Sequence, residues 1–470
     1  TKFHHPLRDN AEYRLLFADH LHRTFANDGP LTATNAAARW MEVTGEIEQA
    51  LIAESARWGD YRRANPYTVE GDFKPLRQSL LDNWFPRRSS IVLGQFRAQG
   101  LYPDLAAPVF SQHGGVVPIG RLLQISAPGG TIYHTRNGSD PRLRGGVVNP
   151  NARVVTAGEI ALTASGTIRT RALHNGEWSA LNEALFIVGD PASSANLVLT
   201  EIHYNPLGGG TLEFVELMNI ADTPIDLTAV RFVAGIKFEF PAGFVLAPGE
   251  RVLLVDNLAA FEAEHGTGLA IAGEFTGDLD NGGDTLALLA HDGTLIRSFR
   301  YDNGLPWPSS PDTTGYSLTL ITPGRNPDPS DPANWRASVL PGGSPATSDA
   351  RSFVGDPNAD RDRDRHPAIL EYALGSDDLS FDAAPAFEIV RVPGGTWALR
   401  YPVDPAAEDV SLTLEFSPDL QNWGTSPPNW PLPGRENLAD GRILVTIGIP
   451  PASPPNGYVR LRATHRSWTP

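Results

Sequence analysis

The sequence contains no cysteine, and Lys2, Lys74 and Lys237 are its only lysines. Without thiols the chain forms no disulfide and no zinc-thiolate site, and it has no thiol nucleophile. No apolar run approaches the roughly 20 residues that a membrane-spanning helix needs, so no membrane span is expected. The formal net charge of −16 repels phosphate backbones, which argues against a nucleic-acid partner.

The usual catalytic signatures are also absent. The chain has no G-x-S-x-G, no H-E-x-x-H and no G-x-x-x-x-G-K-[ST] motif. His4, His5, His20 and His22 form the densest histidine cluster, and a metal could bridge some of them, but His20 and His22 point to different sides of a helix. We therefore predict no catalytic residue and no organic cofactor in this chain.

Composition and turn signals predict a mainly β, multidomain protein of serial immunoglobulin-like β-sandwiches, preceded by an N-terminal α-helical segment. A chain of 470 residues has room for about three domains of roughly 150 residues, and we expect four. The predicted segments are helices at 1–105, a sandwich at 106–190, a second sandwich at 196–322, a Pro-rich linker with a metal loop and a short helix at 323–384, and a last sandwich at 385–466.

Apolar spacing predicts three N-terminal helices. The first starts after Asp9 as N-cap, and the second spans about 34–58 with Trp40, Val43 and Ile47 on one apolar stripe. The third begins near Pro75 and is interrupted at Pro86. The run FADHLHRTFANDGPLT resembles the C-terminal helical part of CotH-type kinase domains.

That resemblance implies a parent that is a secreted protein kinase, but its ATP-binding lysine and metal-binding aspartates would lie upstream of Thr1. The chain opens without methionine or signal peptide, as expected for a piece of a longer protein. The C-terminal part of a CotH-like kinase is therefore the alternative function.

Two motifs at 106–190, IYHTRNGSDPR and TIRTRALHNGEWSAL, resemble the small immunoglobulin-like domain at the C-terminus of chitobiase. In that family the domain is an accessory module without catalytic residues. The resemblance implies a supporting or positioning role.

Between 197 and 320, short β-rich runs such as LVLTEIHYNP, EFVELMN, ERVLLVD and DTLALLA are bounded by Pro-Gly, Asn-Gly-Gly and Asp-Gly turn signals. Their order resembles a bacterial lamin-tail domain, an immunoglobulin-like sandwich. Asp278, Asp280 and Asp284 could bind calcium, but a hairpin turn is the interpretation that we favour.

The sharpest chemical motif is DRDRDRHPAILE, which starts at Asp360. Asp360, Asp362, Asp364, the backbone carbonyl of His366 and Glu371 occupy the ligand spacing of a twelve-residue calcium loop. The segment resembles degenerate EF-hand-like or dockerin-like loops, so Ca²⁺ is the predicted cofactor.

Two residues depart from the calcium-loop pattern. Arg365 stands where the loop normally has glycine and must adopt a positive φ, and Ala368 supplies no side-chain oxygen. The alternative is that Arg361, Arg363 and Arg365 neutralise the loop in a salt-bridged helix start without a metal.

The end of the chain, with SPDLQNW and YVRLRAT, resembles C-terminal sandwiches of secreted planctomycete and verrucomicrobial proteins. The predicted function is a non-catalytic structural or binding part of a secreted, cell-surface or periplasmic protein. The predicted partner is another protein or a surface polysaccharide, within a larger extracellular assembly. A carbohydrate role predicts exposed, coplanar rings among Trp178, Trp307, Trp335 and Trp423.

Overall fold

The computed structural model describes residues 4–381, 386–392, 397–425, 434–438, 441–449 and 457–465. The chain divides into two units, Thr1–Gly189 and Asp190–Pro470. The mainly β class with an N-terminal helical segment is confirmed, because the helices of the first hundred residues are followed by separate β-sheets.

The first unit begins with a set of helices. Asn10 caps α2 by accepting a hydrogen bond from the Tyr13 N–H, and Thr32 caps α3 by accepting one from the Asn35 N–H. The α-helices are α1 His4–Leu7, α2 Ala11–Phe25, α3 Ala33–Trp58, α4 Lys74–Ser79 and α5 Phe85–Ala98, with π-helical turns at Val69–Phe73 and Leu80–Trp84.

Two of the predicted helix limits are wrong. The N-cap is Asn10, not Asp9, because the first helical residue lies one position later than expected. The third helix is not interrupted at Pro86: a π-helical turn leads directly into α5, and Pro86 lies in the first turn of that helix. Proline is tolerated there because a first-turn N–H has no partner within the helix.

The apolar stripe predicted on the second helix is present, but its side chains are not buried. Trp40, Val43 and Ile47 are all at least one third exposed. Spacing predicts which side chains share a face of a helix, and it does not predict what covers that face.

The strands of the first unit form two sheets of three and six strands. Phe110, Leu123, Ile168 and Phe186 belong to the buried cluster between them. The strands are β1 Val109–Phe110, β2 Gly115–Val117, β3 Arg121–Ser126, β4 Thr131–Thr135, β5 Arg153–Val154, β6 Glu159–Leu162, β7 Gly166–His174, β8 Glu177–Trp178 and β9 Asn182–Val188.

A buried ion network joins the helices to this sandwich. Arg171 on β7 is 1 % exposed and donates to both carboxylate oxygens of Asp19 on α2, at 2.8 and 2.7 Å. It also donates to Asp140 and to the Ser179 carbonyl. The guanidinium is therefore paired on several sides, as a buried charge requires.

The second unit begins with the sandwich that includes LVLTEIHYNP. A six-stranded sheet in the order β18-β17-β12-β11-β21-β22 faces a four-stranded sheet in the order β15-β14-β19-β20. The strands are β10 Asp190–Pro191, β11 Leu197–His203, β12 Phe214–Asn219, β13 Ile225–Asp226, β14 Arg231–Ala234, β15 Phe238–Glu239, β16 Val245–Leu246, β17 Arg251–Val255, β18 Ile271–Glu274, β19 Thr285–Leu289, β20 Leu295–Arg300, β21 Leu318–Leu320 and β22 Trp335–Ala337.

Short helices complete this sandwich. Phe261 on α6 packs against Phe214, Leu253 and Val255 of the six-stranded sheet. The helices are α6 Leu258–His265 and α7 Ser310–Thr313, with 3-10 turns at Gly210–Leu212, Pro323–Arg325 and Pro332–Asn334.

Part of the predicted linker belongs to this sandwich. Trp335–Ala337 pairs antiparallel with Leu318–Leu320 as the edge strand of the six-stranded sheet. Trp335 packs in the core, and its Nε1–H donates to the Pro329 carbonyl at 2.8 Å. The segment is therefore not extended along its whole length.

The last module contains a four-stranded and a three-stranded sheet. Its predicted limits, 385 and 466, lie outside the described residues. Its elements are α8 Ala368–Leu374, β23 Glu388–Arg391, β24 Trp397–Val403, β25 Val410–Ser417, β26 Gly424–Thr425, β27 Gly434–Asn437, β28 Ile443–Gly448 and β29 Tyr458–His465. Leu370 and Leu374 of α8 belong to its core cluster with Leu399, Leu414 and Val445.

None of the helices in the described part of the chain is both long and apolar enough to cross a membrane.

Candidate metal centre

Three aspartates converge in the loop that leads into α8. Carboxylate oxygens of Asp360, Asp362 and Asp364 all lie within 4.8 Å of one another, and among the described residues this is the only such group of metal-ligating side chains. Backbone hydrogen bonds shape the loop: Asp362 Oδ1 accepts from the Asp364 N–H at 3.1 Å, and Asp364 Oδ1 accepts from the His366 N–H at 2.7 Å. Such turns are the local preference of aspartate.

The alternation of aspartate and arginine separates the two charges. Arg361, Arg363 and Arg365 are exposed, whereas Asp362 and Asp364 are half-buried. Arg361 pairs with Asp378 at 2.8 Å, outside the twelve-residue loop. Arg363 and Arg365 are therefore directed to solvent and Arg361 to Asp378, while the three loop carboxylates converge.

Glu371 closes the loop from α8. Its residue is 0 % exposed, and neither Oε1 nor Oε2 has a hydrogen-bond partner. Burial raises the pKa of Glu371 to about 7, with a further contribution from the negative charges of Asp364, Asp362, Asp378 and Asp360. A carboxylate removed from water without a donor or a cation costs several kcal/mol, at order of magnitude, when it is ionised.

A fifth carboxylate approaches from beyond the helix. Gly375 ends α8 in the left-handed conformation, with φ of 72°. The Ser376 N–H then donates to the Glu371 carbonyl at 3.0 Å, which turns the chain back beside the helix. Asp378 follows, and its Oδ1 is buried without a hydrogen-bond partner.

The site thus contains several buried anionic oxygens that lack donors: Asp362 Oδ2, both oxygens of Glu371 and Asp378 Oδ1. Ca²⁺ takes six to eight oxygen ligands, and carboxylates are its preferred ones. Zinc prefers nitrogen and sulfur ligands, which this group lacks apart from the nearby His366. The donor set therefore fits a hard cation and fits calcium best.

The structure brings three of the predicted ligands together, Asp360, Asp362 and Asp364, and one backbone prediction is confirmed. Arg365 has φ of 79°, as expected for a side chain at the glycine position, and Arg363 also has a positive φ of 67°. The His366 ring lies beside Asp364, with Nδ1 to Oδ2 at 3.2 Å. The role of the His366 carbonyl as a ligand stays a prediction.

Sequence reasoning missed Asp378. It lies outside the spacing of the loop, and the only local signal is an acidic pair, Asp377-Asp378, that begins two residues after the glycine that ends α8. Its proximity depends on the reversal of the chain after Gly375, which no spacing rule predicts.

The histidine cluster is not a metal centre in the structure. His4 Nδ1 contacts the Tyr13 hydroxyl and His22 Nδ1 contacts the Tyr102 hydroxyl, both at 2.8 Å. Burial lowers the pKa of His22 to about 4. Both rings are part of aromatic packing.

The acidic segment around Asp280 is a turn, as favoured, but it is not a hairpin. Asp280 Oδ1 accepts from the Gly282 N–H at 2.7 Å. The strands on either side belong to different sheets, because Ile271–Glu274 lies in the six-stranded sheet and Thr285–Leu289 in the four-stranded one. The turn therefore crosses between the two layers of the sandwich.

The tryptophans do not form the predicted platform. Trp178, Trp307 and Trp335 are buried. Trp423 is half-buried, and the Arg460 guanidinium covers its ring at 4.2 Å from the centroid. These four residues therefore do not supply the exposed, coplanar rings that a carbohydrate role predicts, and they leave that role without support.

Two more buried carboxylates, those of Glu201 and Glu216, lie in the first sandwich of the second unit. Sequence reasoning did not predict them either. Glu201 accepts from the Ser317 hydroxyl and from the N–H and hydroxyl of Ser344. Glu216 pairs with Arg251 and accepts from the Ala346 N–H at 2.6 Å. Unlike Glu371, both glutamates accept hydrogen bonds. They therefore hold the segment 344–346 in place and need no cation.

Residues 190–303 match the family model of the lamin tail domain. The resemblance stated for the sandwich at 196–322 is confirmed over the shared residues. No curated protein matches the chain.

Several solved bacterial structures are similar to parts of the chain at low identity. A DUF4876 family protein from Bacteroides thetaiotaomicron is 11 % identical, with a TM-score of 0.19, over 40 % of this chain and 81 % of that one. A β-glycosidase from Bacteroides vulgatus is 14 % identical, with a TM-score of 0.14, over 44 % and 26 %. Domains 7, 8 and 9 of the S-layer protein SbsC are 12 % identical, with a TM-score of 0.13, over 42 % and 59 %.

Proposed function

We propose that this chain is a non-catalytic structural and binding part of a secreted or cell-surface bacterial protein, in which Ca²⁺ at the loop from Asp360 to Glu371 fixes the last module in place. The observation that carries the proposal is the Glu371 carboxylate, fully buried and without a hydrogen-bond donor on either oxygen. Asp360, Asp362, Asp364 and Glu371 supply the charge that a divalent cation compensates.

The position of the loop supports a mechanical role for the cation. Glu371 lies on α8, whose other side chains pack into the last module's core. The same module contacts the lamin-tail sandwich through Glu408, which accepts from the Thr322 N–H at 2.8 Å and from Arg336 Nε at 3.0 Å. A cation that holds the start of α8 therefore stiffens the region where the two sandwiches meet.

A site of this kind suits a protein outside the cytoplasm. Extracellular calcium modules work at dissociation constants of roughly 10⁻⁴ to 10⁻³ M, which matches millimolar calcium outside cells. The resemblances to lamin-tail and chitobiase-type modules point the same way. Within this proposal the partner is another protein or a surface polysaccharide, and the burial of three candidate tryptophans favours a protein.

Thermal unfolding of the full chain tests the proposal. In about 10 mM Ca²⁺ the wild type should unfold several degrees higher than in EDTA, because a ligand at about 10 to 100 times its Kd adds roughly 1.4 to 2.7 kcal/mol. Glu371→Gln should lose this response, and Glu388→Gln, an exposed residue of the same module, should keep it. A wild type that unfolds at the same temperature in both buffers contradicts the proposal.

The alternative, the C-terminal part of a CotH-like kinase, makes a separate prediction. If the chain itself transferred phosphate from ATP to a protein substrate, the non-catalytic assignment would be overturned. We expect no incorporation of labelled phosphate above that of heat-denatured protein.

A further inference from the structure

We propose that Asp378 completes the cation site from outside the loop, and that Arg361 is the positioning residue that aims it. This inference rests on the proposed calcium site and adds a ligand that the loop pattern does not contain. It assigns the bound cation to both ends of α8, Ala368–Leu374.

The geometry of Asp378 carries the inference. Its side chain is 17 % exposed, and Oδ2 is 2.8 Å from Arg361 Nη1. Oδ1 is buried and has no donor. Because Arg361 is the second residue of the loop, this ion pair holds the Asp378 carboxylate beside the loop.

The chemistry of the loop leaves a place for this oxygen. In a twelve-residue calcium loop the ninth position supplies a ligand, often through water, and here that position is Ala368. Three aspartates, one carbonyl and a bidentate glutamate supply about six oxygens, the lower end of the range for Ca²⁺. A further carboxylate raises both the ligand number and the negative charge.

Arg361 gives the two carboxylate oxygens of Asp378 different surroundings. It binds Oδ2, which leaves Oδ1 directed to the buried side. The Ser376 hydrogen bond to the Glu371 carbonyl holds the same stretch of chain. Asp378 is thus held in place before a cation binds, and such preorganisation lowers the cost of binding.

Calorimetric titration of the full chain with CaCl₂ tests this assignment. Asp378→Asn should weaken binding by roughly tenfold or more, since affinity in such sites follows the charge and number of ligands. The matched control is Asp377→Asn, because Asp377 is exposed and its side chain accepts a hydrogen bond from the Leu379 N–H, which an asparagine oxygen can also accept. Circular dichroism in EDTA establishes that each variant is folded.

The outcomes separate the two proposals. If the wild type binds Ca²⁺, Glu371→Gln does not, and Asp378→Asn binds as tightly as Asp377→Asn, the role of Asp378 is overturned and the calcium loop stands. If the wild type binds no Ca²⁺, both proposals are overturned. Weakening by Asp378→Asn alone supports the inference.

The positioning role of Arg361 can be tested separately from the effect of its charge. Removing a positive side chain near a cation site should tighten binding if only its charge matters. As a positioning residue, Arg361→Ala should instead weaken binding, and Arg361→Lys should restore most of it. Equal or tighter binding by Arg361→Ala overturns the positioning role.

Discussion

Glu201 and Glu371 are both removed from water, yet they are held in different ways. Glu201 has hydrogen-bond donors from Ser317 and Ser344, whereas Glu371 has no donor. A buried acid with donors stabilises the segments that donate to it, and one without donors needs a cation or a proton. This difference separates the structural carboxylate from the candidate ligand.

Glu201 should make stability depend on pH. Burial, with the neighbouring charge of Glu216, raises the pKa of Glu201 to about 7. Because this folded-state value lies above the unfolded value of 4.5, the folded chain binds more protons in between, and the contribution of Glu201 to stability is lost as the pH rises through 7. The melting temperature of Glu201→Gln, relative to that of the wild type, should therefore rise by roughly 2 °C or more between pH 5 and pH 8.

The control for this experiment is Glu239→Gln, an exposed residue of the same sandwich. Its melting temperature should follow the wild type at every pH. Parallel curves for Glu201→Gln and the wild type would contradict the assignment of a raised pKa.

Arg365 should limit the stability of the loop through its backbone. A non-glycine residue with φ of 79° is strained, so Arg365→Gly should stabilise the last module by about 1 kcal/mol and tighten calcium binding. Arg365→Ala removes the same charge and keeps the strain. Equal gains in the two variants, measured by thermal unfolding in EDTA and by titration, would show that the strain has no part in the effect.

At the scale of elements, the sequence predicts strands more reliably than it predicts contacts. Turn signals around ERVLLVD and DTLALLA correctly indicated a sandwich, because tight turns constrain the backbone locally. Trp335 was assigned to a linker because it follows a Pro-rich stretch. Its strand pairs with Leu318–Leu320, and this pairing depends on the whole fold and not on the local sequence. Pro86 suggested that a helix ends there. Instead, a π-helical turn lies directly before it and leads into the next helix.

The same limit applies to the candidate site. The convergence of Asp360, Asp362 and Asp364 could be predicted, because alternate residues of one short loop lie close together. Asp378 could not, since its place depends on the turn after Gly375. Glu201 lies in a strand that is buried at every position, so no alternation of polar and apolar residues shows that its side chain is buried.

The ion network between α2 and the first sandwich gives a prediction at the scale of elements. Asp19→Ala leaves the buried Arg171 guanidinium with fewer carboxylate partners and removes an acceptor from the Leu181 N–H. The cost should be about 3 to 5 kcal/mol in the first unit. Denaturant unfolding measures it.

Asp9→Ala is the control, because Asp9 is exposed at the start of the same helix. It should change the free energy of unfolding by less than about 0.5 kcal/mol. An Asp19→Ala variant as stable as this control would show that the network does not hold the helices.

At the scale of the whole molecule, the described part of the chain is organised as sandwiches with buried cores, and its candidate site lies where a short helix enters the last of them. Ion pairs and hydrogen bonds of Arg336 with Asp349 and Glu408 already connect that module to the lamin-tail sandwich. A cation at the proposed site would hold the loop to α8 at the start of this module, to an extent that depends on the calcium concentration. Under the proposed function, the protein is a spacer and binding protein whose stiffness responds to calcium.

Hydrogen exchange of the full chain, measured by mass spectrometry with and without Ca²⁺, tests this central claim most directly. We predict that amides of the segment 359–378 exchange at least about tenfold more slowly in about 10 mM Ca²⁺ than in EDTA, since a ligand at about 10 to 100 times its Kd suppresses local opening by a similar factor. The protection should be lost in Glu371→Gln. Identical exchange of this segment in both buffers for the wild type would contradict the account.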